Sequence, residues 1–206
     1  MKLGFTLIEL LVVIAIIAIL AVVVILTLNP AQLLAQARDS TRISDLSTLR
    51  TSLSLFQVDT PSIPVGTPAT CYSSLPETVF WTPDQTGIWG ATTTCAAWMV
   101  STDNVATSAT PSAIDSSGWV PVNFADISAG SPLGQEPIDP INTMGIGVTQ
   151  LTGAFFYSFA AGVTSTFKLG AFLESAKYSN GGSGDAVSAD GGTNNYVLEE
   201  GTDMGL

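Results

Sequence analysis

Histidine is absent from the 206-residue chain, and only six lysines and arginines stand against 17 aspartates and glutamates. Without histidine, Ser-His-Asp triads, histidine metal ligands and an imidazole base at neutral pH are all excluded. The formal net charge of −11 repels phosphate backbones, so we expect no bulk electrostatic binding of nucleic acid. Together with the lack of clustered catalytic residues, these absences predict that the protein is not an enzyme.

Charge is almost missing from one long stretch near the N-terminus. Residues 10–26 are seventeen consecutive Ala, Val, Ile and Leu residues, and the only polar residues in the longer segment 5–28 are two threonines and Glu9. At a rise of about 1.5 Å per residue this segment spans roughly 36 Å as a helix, enough to cross the roughly 30 Å hydrocarbon core of a bilayer. The sequence therefore predicts a single membrane-spanning helix over residues 5–28.

Three other kinds of N-terminal apolar segment compete with this interpretation. A lipoprotein signal is excluded because the first cysteine is Cys71. A cleaved secretory signal has a small-x-small site at residues 35–37, but its apolar region should run only about 7 to 15 residues and lie close to the site. A plain membrane anchor that is not cleaved remains an alternative interpretation. Neither of these last two needs the glutamate in the apolar run.

The residues before the apolar run form a distinctive arrangement: Lys2, Gly4, Phe5 and then Glu9. A charged side chain at the centre of a spanning segment costs about 2.5 to 3.5 kcal/mol, so Glu9 requires a partner. Cleavage between Gly4 and Phe5 would create an α-amino group one helical turn before Glu9. The carboxylate would then lie near the positive end of the helix dipole and within reach of an amine.

The stretch from Gly4 to Leu10, GFTLIEL, resembles the processing and methylation motif of bacterial type IV prepilins and of the related pseudopilins. The resemblance implies cleavage after Gly4 by a membrane prepilin peptidase and N-methylation of Phe5. It also implies that Glu9 sets the register of one subunit against the amine of its neighbour during filament assembly. Residues 1–4 are then the leader.

The resemblance further implies a structural subunit of a type IV pilus that serves adhesion, motility or DNA uptake. The subunit is held in the cytoplasmic membrane by one span before assembly and lies in a cell-surface filament afterwards. Its partners are the lipid bilayer, other copies of itself, the peptidase, a cytoplasmic assembly ATPase and a membrane platform protein. The nearest alternative is a pseudopilin of a type II secretion or competence system. A membrane-anchored extracellular binding domain is the alternative from another class.

Residues 29–58 repeat apolar side chains every three or four positions, which predicts an amphipathic helix that continues the first and ends near Val58. Pro30 either kinks one long helix or begins a second one with Asn29 as N-cap, and we expect the kink. We expect Arg38 and Asp39 to lie with Arg42 and Asp45 on the polar side of this helix. Arg42 and Asp45 are spaced for a weak surface ion pair.

Residues 59–206 are predicted to form a globular β-rich domain, because short apolar runs alternate with turn residues. The best hairpin joins the fourth and fifth runs through residues 162–165. With the long helix covering one side of an antiparallel sheet, the fold class is α+β, as in pilins. The predicted strands are 79–81, 97–100, 119–122, 155–159, 167–173 and 196–198.

Two further features concern covalent and metal chemistry. If the domain is exported, Cys71 and Cys95 are expected to form a disulfide that closes a loop of about 25 residues and contributes roughly 3.5 kcal/mol; two free thiols are the alternative. The glycine-rich stretch 179–192 and the residues after it offer weak calcium candidates in Asp185, Asp190 and Asn194. An ordinary solvated loop is the preferred interpretation, so no cofactor is expected. Residues 136–142, EPIDPIN, resemble a stretch that precedes the sheet in many pseudopilins and are read here as a loop.

Overall fold

A computed structural model of the chain describes residues 4–68, 70–76, 105–144, 154–162, 165–204 and 206, with the side chains of residues 26–28, 76, 105–107, 144 and 154 left aside. Its described elements are two helices, seven strands and one short 3₁₀ turn. In chain order they are α1 (Leu7–Leu28), α2 (Pro30–Asp59), β1 (Cys71–Pro76), β2 (Val105–Ser108), the 3₁₀ turn (Phe124–Asp126), β3 (Thr143–Met144), β4 (Ala154–Phe155), β5 (Tyr157–Ala161), β6 (Phe167–Phe172) and β7 (Val197–Gly201).

The main sheet has five strands in the order β2-β1-β5-β6-β7. The pairs β1–β5, β5–β6 and β6–β7 are antiparallel, whereas β2 runs parallel to β1 at one edge. This confirms the predicted α+β fold with a helix and an antiparallel sheet. The parallel edge strand was not expected from the sequence.

α2 covers one face of the sheet through apolar side chains in its second half. Leu46, Leu49, Leu53 and Phe56 are fully buried in one core cluster. Alternate residues of β6 enter the same cluster because successive side chains of a strand point to opposite faces. At about 1.5 to 3 kcal/mol for each large apolar side chain taken out of water, this cluster is the main attachment of the helix to the sheet.

The predicted hairpin of β5 and β6 is present, with Tyr157 opposite Ala171 and Ala161 opposite Phe167. Of the predicted run 196–198, Val197 and Leu198 lie in β7, and Tyr196 precedes the strand. The run 119–122 is not a strand, which corrects that prediction. Pro121 has no N–H for a ladder, and the N–H of Val120 donates instead to the side chain of Glu136.

The remaining predicted strands, 79–81 and 97–100, lie outside the described residues, as does Cys95. β1 was missed because CYSSLP has little of the apolar alternation that signals a strand. Cys71 lies at its start, 4% exposed, and is not a free thiol. The pairing of Cys71 with Cys95 stays a prediction.

Candidate functional site

The two helices separate where an interruption was predicted, although its form differs from the expected kink. α1 ends at Leu28, Asn29 adopts a left-handed conformation with φ 41°, and α2 begins at Pro30. Proline is favoured at the first position of a helix because its missing N–H would have no partner there. Asn29 makes no side-chain capping hydrogen bond to α2. The chain therefore has two helices joined at one left-handed residue.

α1 is long and apolar enough to cross a membrane, by length and composition, from Leu7 to Ile25. None of this segment is buried against the rest of the protein. Its large side chains show exposures from 45% at Val13 to 82% at Leu7. An uncovered apolar surface of this length in water is strongly unfavourable, so α1 requires lipid or protein around it.

The N-terminus of α1 is closed by a reciprocal capping box between Thr6 and Glu9. One carboxylate oxygen, Oε2, accepts from the backbone N–H of Thr6 at 2.8 Å and from its hydroxyl at 2.7 Å. The backbone N–H of Glu9 donates back to the Thr6 hydroxyl at 3.3 Å. Thr6 was not singled out in the sequence, although a threonine three residues before a glutamate is the usual signature of such a cap. The glutamate thus has a local partner in the single chain.

Gly4 and Phe5 precede this cap and are both exposed. A Cβ atom added to Gly4 would have nothing within 4 Å, so packing does not require glycine at this position. Phe5 is 80% exposed. Packing among the described residues therefore explains neither the glycine nor the phenylalanine.

A second constellation surrounds α2 and was not predicted. The side chains of Arg42 and Asp39 are both fully buried, although they were expected on the polar surface. The Arg42 guanidinium donates two parallel hydrogen bonds to Asp139, from Nε at 2.6 Å and from Nη2 at 3.0 Å. Its Nη1 donates to Asp39 at 2.8 Å and to Glu174 at 2.5 Å. One arginine thus joins α2 to two distant segments.

Hydrogen bonds and opposite charges keep Arg42 and Glu174 charged. Burial works against the charge on Arg42, but the hydrogen bonds and charge of Asp139, helped by Glu174 and Asp39, raise the pKa of Arg42 above its ordinary value. Burial likewise tends to raise the pKa of Glu174, but the hydrogen bonds from Arg38 and Arg42 hold that pKa below its usual range. Arg42 and Glu174 are therefore ionised at neutral pH.

The predicted surface pair of Arg42 with Asp45 is wrong, because Asp45 accepts instead from the Tyr157 hydroxyl at 2.7 Å. Positions 39 and 42 were assigned to the polar face because charged side chains are rarely buried alone. The spacing of positions 39 and 42 along α2 instead indicates burial. The buried residues of α2 include Ala35, Asp39, Arg42, Leu46, Leu49, Leu53 and Phe56, a stripe with steps of three and four.

The calcium candidates serve as loop-closing groups. Asp185 accepts from the backbone N–H groups of Gly181, Val187 and Ser188, and Asp190 accepts from those of Gly192 and Glu199. Asn194 accepts from the N–H of Tyr196. In the described part of the chain no group of three or more acidic, cysteine or histidine side chains could hold a metal. Calcium binding stays a prediction from the sequence. The segment 136–142 is a loop, as predicted, and it carries the buried Asp139.

Comparison with known families places a match on the N-terminal site. Residues 1–25 match the model described as the prokaryotic N-terminal methylation motif, the leader of type IV prepilins and pseudopilins. No curated protein and no solved structure matches the chain significantly. The motif marks structural subunits that are not enzymes and that, in general, are processed by prepilin peptidase and assemble into filaments. The chain therefore carries the N-terminal motif of type IV prepilins and pseudopilins, on an apolar helix whose length and composition fit a membrane anchor.

Proposed function

We propose that the chain is the structural subunit of a type IV pilus. In this proposal it is inserted in the cytoplasmic membrane through α1, cleaved between Gly4 and Phe5, methylated on the Phe5 amine and polymerised into a surface filament. The observation that carries the proposal is the exposed α1, none of which is buried between Leu7 and Ile25. In the membrane lipid covers that surface, and in a filament the α1 helices of neighbouring subunits replace the lipid.

Leaving the membrane requires outside work. Apolar surface favours a non-aqueous environment by about 25 cal/mol per Å², and nearly every residue of α1 contributes such surface. An assembly ATPase acting through a membrane platform protein would supply that work. These two proteins and the prepilin peptidase are the partners that this function requires.

Glu9 is the candidate register residue of assembly. Apolar helix packing is nondirectional and tolerates axial slip, whereas an ion pair in a low-dielectric bundle acts over a short range. The capping box holds the Glu9 carboxylate at Thr6, the second residue of the cleaved chain. In the single chain the carboxylate is therefore held at the end of α1, where a neighbour's Phe5 amine would reach it.

Mass analysis of the membrane-bound protein tests the processing step. We expect the mature chain to begin at Phe5 with one added methyl group. Recovery of the chain with Met1 still present, or with cleavage near Ala37, would exclude processing at the proposed site and favour an anchored or a secreted protein.

A variant of Glu9 tests the assembly step. We expect Glu9→Ala to be inserted and cleaved normally, since removing a carboxylate makes insertion easier, but to form few filaments in antibody-labelled electron micrographs. Glu200→Ala, which removes a carboxylate from β7, is the control and should assemble normally. Wild-type numbers of regular filaments from Glu9→Ala would refute the register role. Labelled assemblies that stay short and below the cell surface in the wild type would favour the pseudopilin alternative.

A further inference from the structure

We infer that Arg42 is a positioning residue for assembly, which sets the rotation and the axial register of α2 against the sheet. This inference rests on the proposed function, because the orientation of α2 matters for filament geometry only if α1 is the assembling element. The observations behind it concern the Arg42 cluster, by which we mean Arg38, Asp39, Arg42, Asp139 and Glu174.

The two halves of α2 are held to the domain in different ways. From Leu46 onward its buried residues are apolar except for Ser52. Before that point the buried residues are Ala35, Asp39 and Arg42. The half of α2 that is nearer to α1 is therefore attached mainly through charged side chains.

The Arg42 cluster draws on two segments far away in the chain. Asp139 lies 97 residues after Arg42, in the loop that precedes β3, and Glu174 lies 132 residues after it, just beyond β6. Asp39 adds to the second attachment by accepting from the backbone N–H groups of Glu174 at 2.9 Å and Ser175 at 2.7 Å. Arg38 also binds Glu174, through Nε at 2.8 Å and Nη2 at 2.5 Å.

The geometry of these bonds is demanding. A guanidinium is planar, and its paired N–H groups match a carboxylate in one orientation only. A slip of α2 by one residue moves each side chain by about 1.5 Å along the axis and turns it by about 100° around it. Such a slip would break every bond of the Arg42 cluster, whereas apolar side chains can repack. Buried polar groups are best attested in this register-setting role, and they add little stability over apolar residues of the same size.

A small change in the tilt of α2 at Arg42 produces a larger displacement farther along the helix. Pro30 lies twelve residues before Arg42, about 18 Å along the axis, so a tilt of about 10° at the cluster displaces the start of α2 by roughly 3 Å. The displacement is larger again along α1. Neighbouring helices pack with axes about 8 to 10 Å apart, so a regular filament core cannot accept a spread of this size.

The test replaces Arg42 together with the two distant carboxylates that it binds, because Arg42→Met alone would leave the buried Asp139 without its guanidinium. Asp39 is kept, since it still accepts from the backbone N–H groups of residues 174 and 175. The triple variant is Arg42→Met, Asp139→Asn, Glu174→Gln in the full chain. The matched control is Arg50→Met, Glu200→Gln, which removes an ion pair of 2.8 Å on the same helix, where the Arg50 side chain is 52% exposed. Arg42→Lys keeps the charge but loses the paired hydrogen bonds, and it serves as the deciding variant if the triple variant does not fold.

The first readout does not depend on filaments. Spin labels at Leu34, which is 61% exposed on α2, and at Tyr196, which is 66% exposed beside β7, report the distance between helix and sheet in the detergent-solubilised chain. We expect one narrow distance distribution in the wild type and in the control, and a distribution at least twice as broad in the triple variant. A distribution as narrow as that of the wild type would overturn the inference, whether or not the chain forms filaments.

The second readout is the filament itself. We expect the triple variant to be cleaved normally, to melt within a few degrees of the wild type, and to give at least tenfold fewer filaments or filaments without one helical symmetry. Wild-type numbers of filaments with the wild-type rise and twist would overturn the positioning role. A wild type that makes no filaments would defeat the proposed function while the label distances still decide the role of Arg42.

Discussion

Replacing Glu136 with glutamine should remove a pH dependence of stability that is built into the core. Glu136 is fully buried, and its Oε2 accepts from the backbone N–H of Val120 at 2.9 Å. Its other oxygen, Oε1, is buried and finds no hydrogen-bond partner among the described residues. Burial raises the pKa of Glu136 to about 9, against the opposing hydrogen bond from Val120. The carboxyl is therefore protonated at neutral pH.

The sign of the effect follows from this raised pKa. The folded state binds the proton more tightly than the unfolded state, whose pKa lies near the ordinary 4.5. The stabilisation by protonated Glu136 is thus complete below about pH 4.5 and is lost as the pH rises toward 9. Within that window one group changes the free energy of unfolding by up to about 1.4 kcal/mol per pH unit. Between about pH 5 and about pH 8 the upper limit is about 4 kcal/mol.

The assay compares the free energy of unfolding of the wild type and of Glu136→Gln across this pH range in the same detergent. The buried ring of Trp119, whose Nε1 donates to the carbonyl of Pro137, provides a nearby optical signal. Burial also raises the pKa values of Asp45 and Asp190, so the pH dependence of the wild type alone would combine several groups. The difference in free energy of unfolding between the wild type and Glu136→Gln isolates the contribution of Glu136. We expect the glutamine variant to gain stability relative to the wild type as the pH rises. A difference that stays constant from about pH 5 to about pH 8 would refute the reasoning.

Two further predictions concern the same part of the chain and the cysteines. Gly118→Ala should destabilise the domain by several kcal/mol in thermal unfolding. The new Cβ would lie 2.0 Å from the carbonyl oxygen of Ala113 and 2.5 Å from the Glu136 carboxyl. Gly134→Ala is the control, because a Cβ there has open space around it. Cys71 and Cys95 should be recovered as one crosslinked peptide in a non-reduced digest, and alkylation of both thiols without reductant would contradict the pairing.

The elements that the sequence predicted well are those whose signals are local. The apolar run of α1, the periodicity that ends α2 at Asp59 against the expected Val58, and the aromatic strands β5 and β6 all follow from spacing over a few residues. The segment 119–122 shows the limit of such signals. Its apolar residues are buried as a strand's would be, but its backbone partners include Glu136, sixteen residues later, which no local pattern reveals.

The Arg42 cluster shows a different limit. Charged residues at positions 39 and 42 continue the buried stripe of α2, but they can be recognised as buried only when their partners are known. Asp139 lies in a proline-flanked loop, and Glu174 lies in the connection after β6. Without those partners, burial of Asp39 and Arg42 would be unfavourable, so exposure to solvent is the better prediction for both side chains. The prediction therefore failed because the compensating groups are distant in sequence.

In the proposed function, folding of the domain and assembly of the filament use separate parts of this chain. The main core cluster draws on buried side chains from Leu46 onward and includes none from α1. Loss of apolar side chains in α1 should therefore leave the unfolding of the domain unchanged while it weakens insertion and assembly. Substitutions in the Arg42 cluster act on the connection between the two parts. A subunit can for this reason be stable and correctly cleaved and still fail to enter a regular filament, because its folded domain holds the assembling helix at the wrong angle.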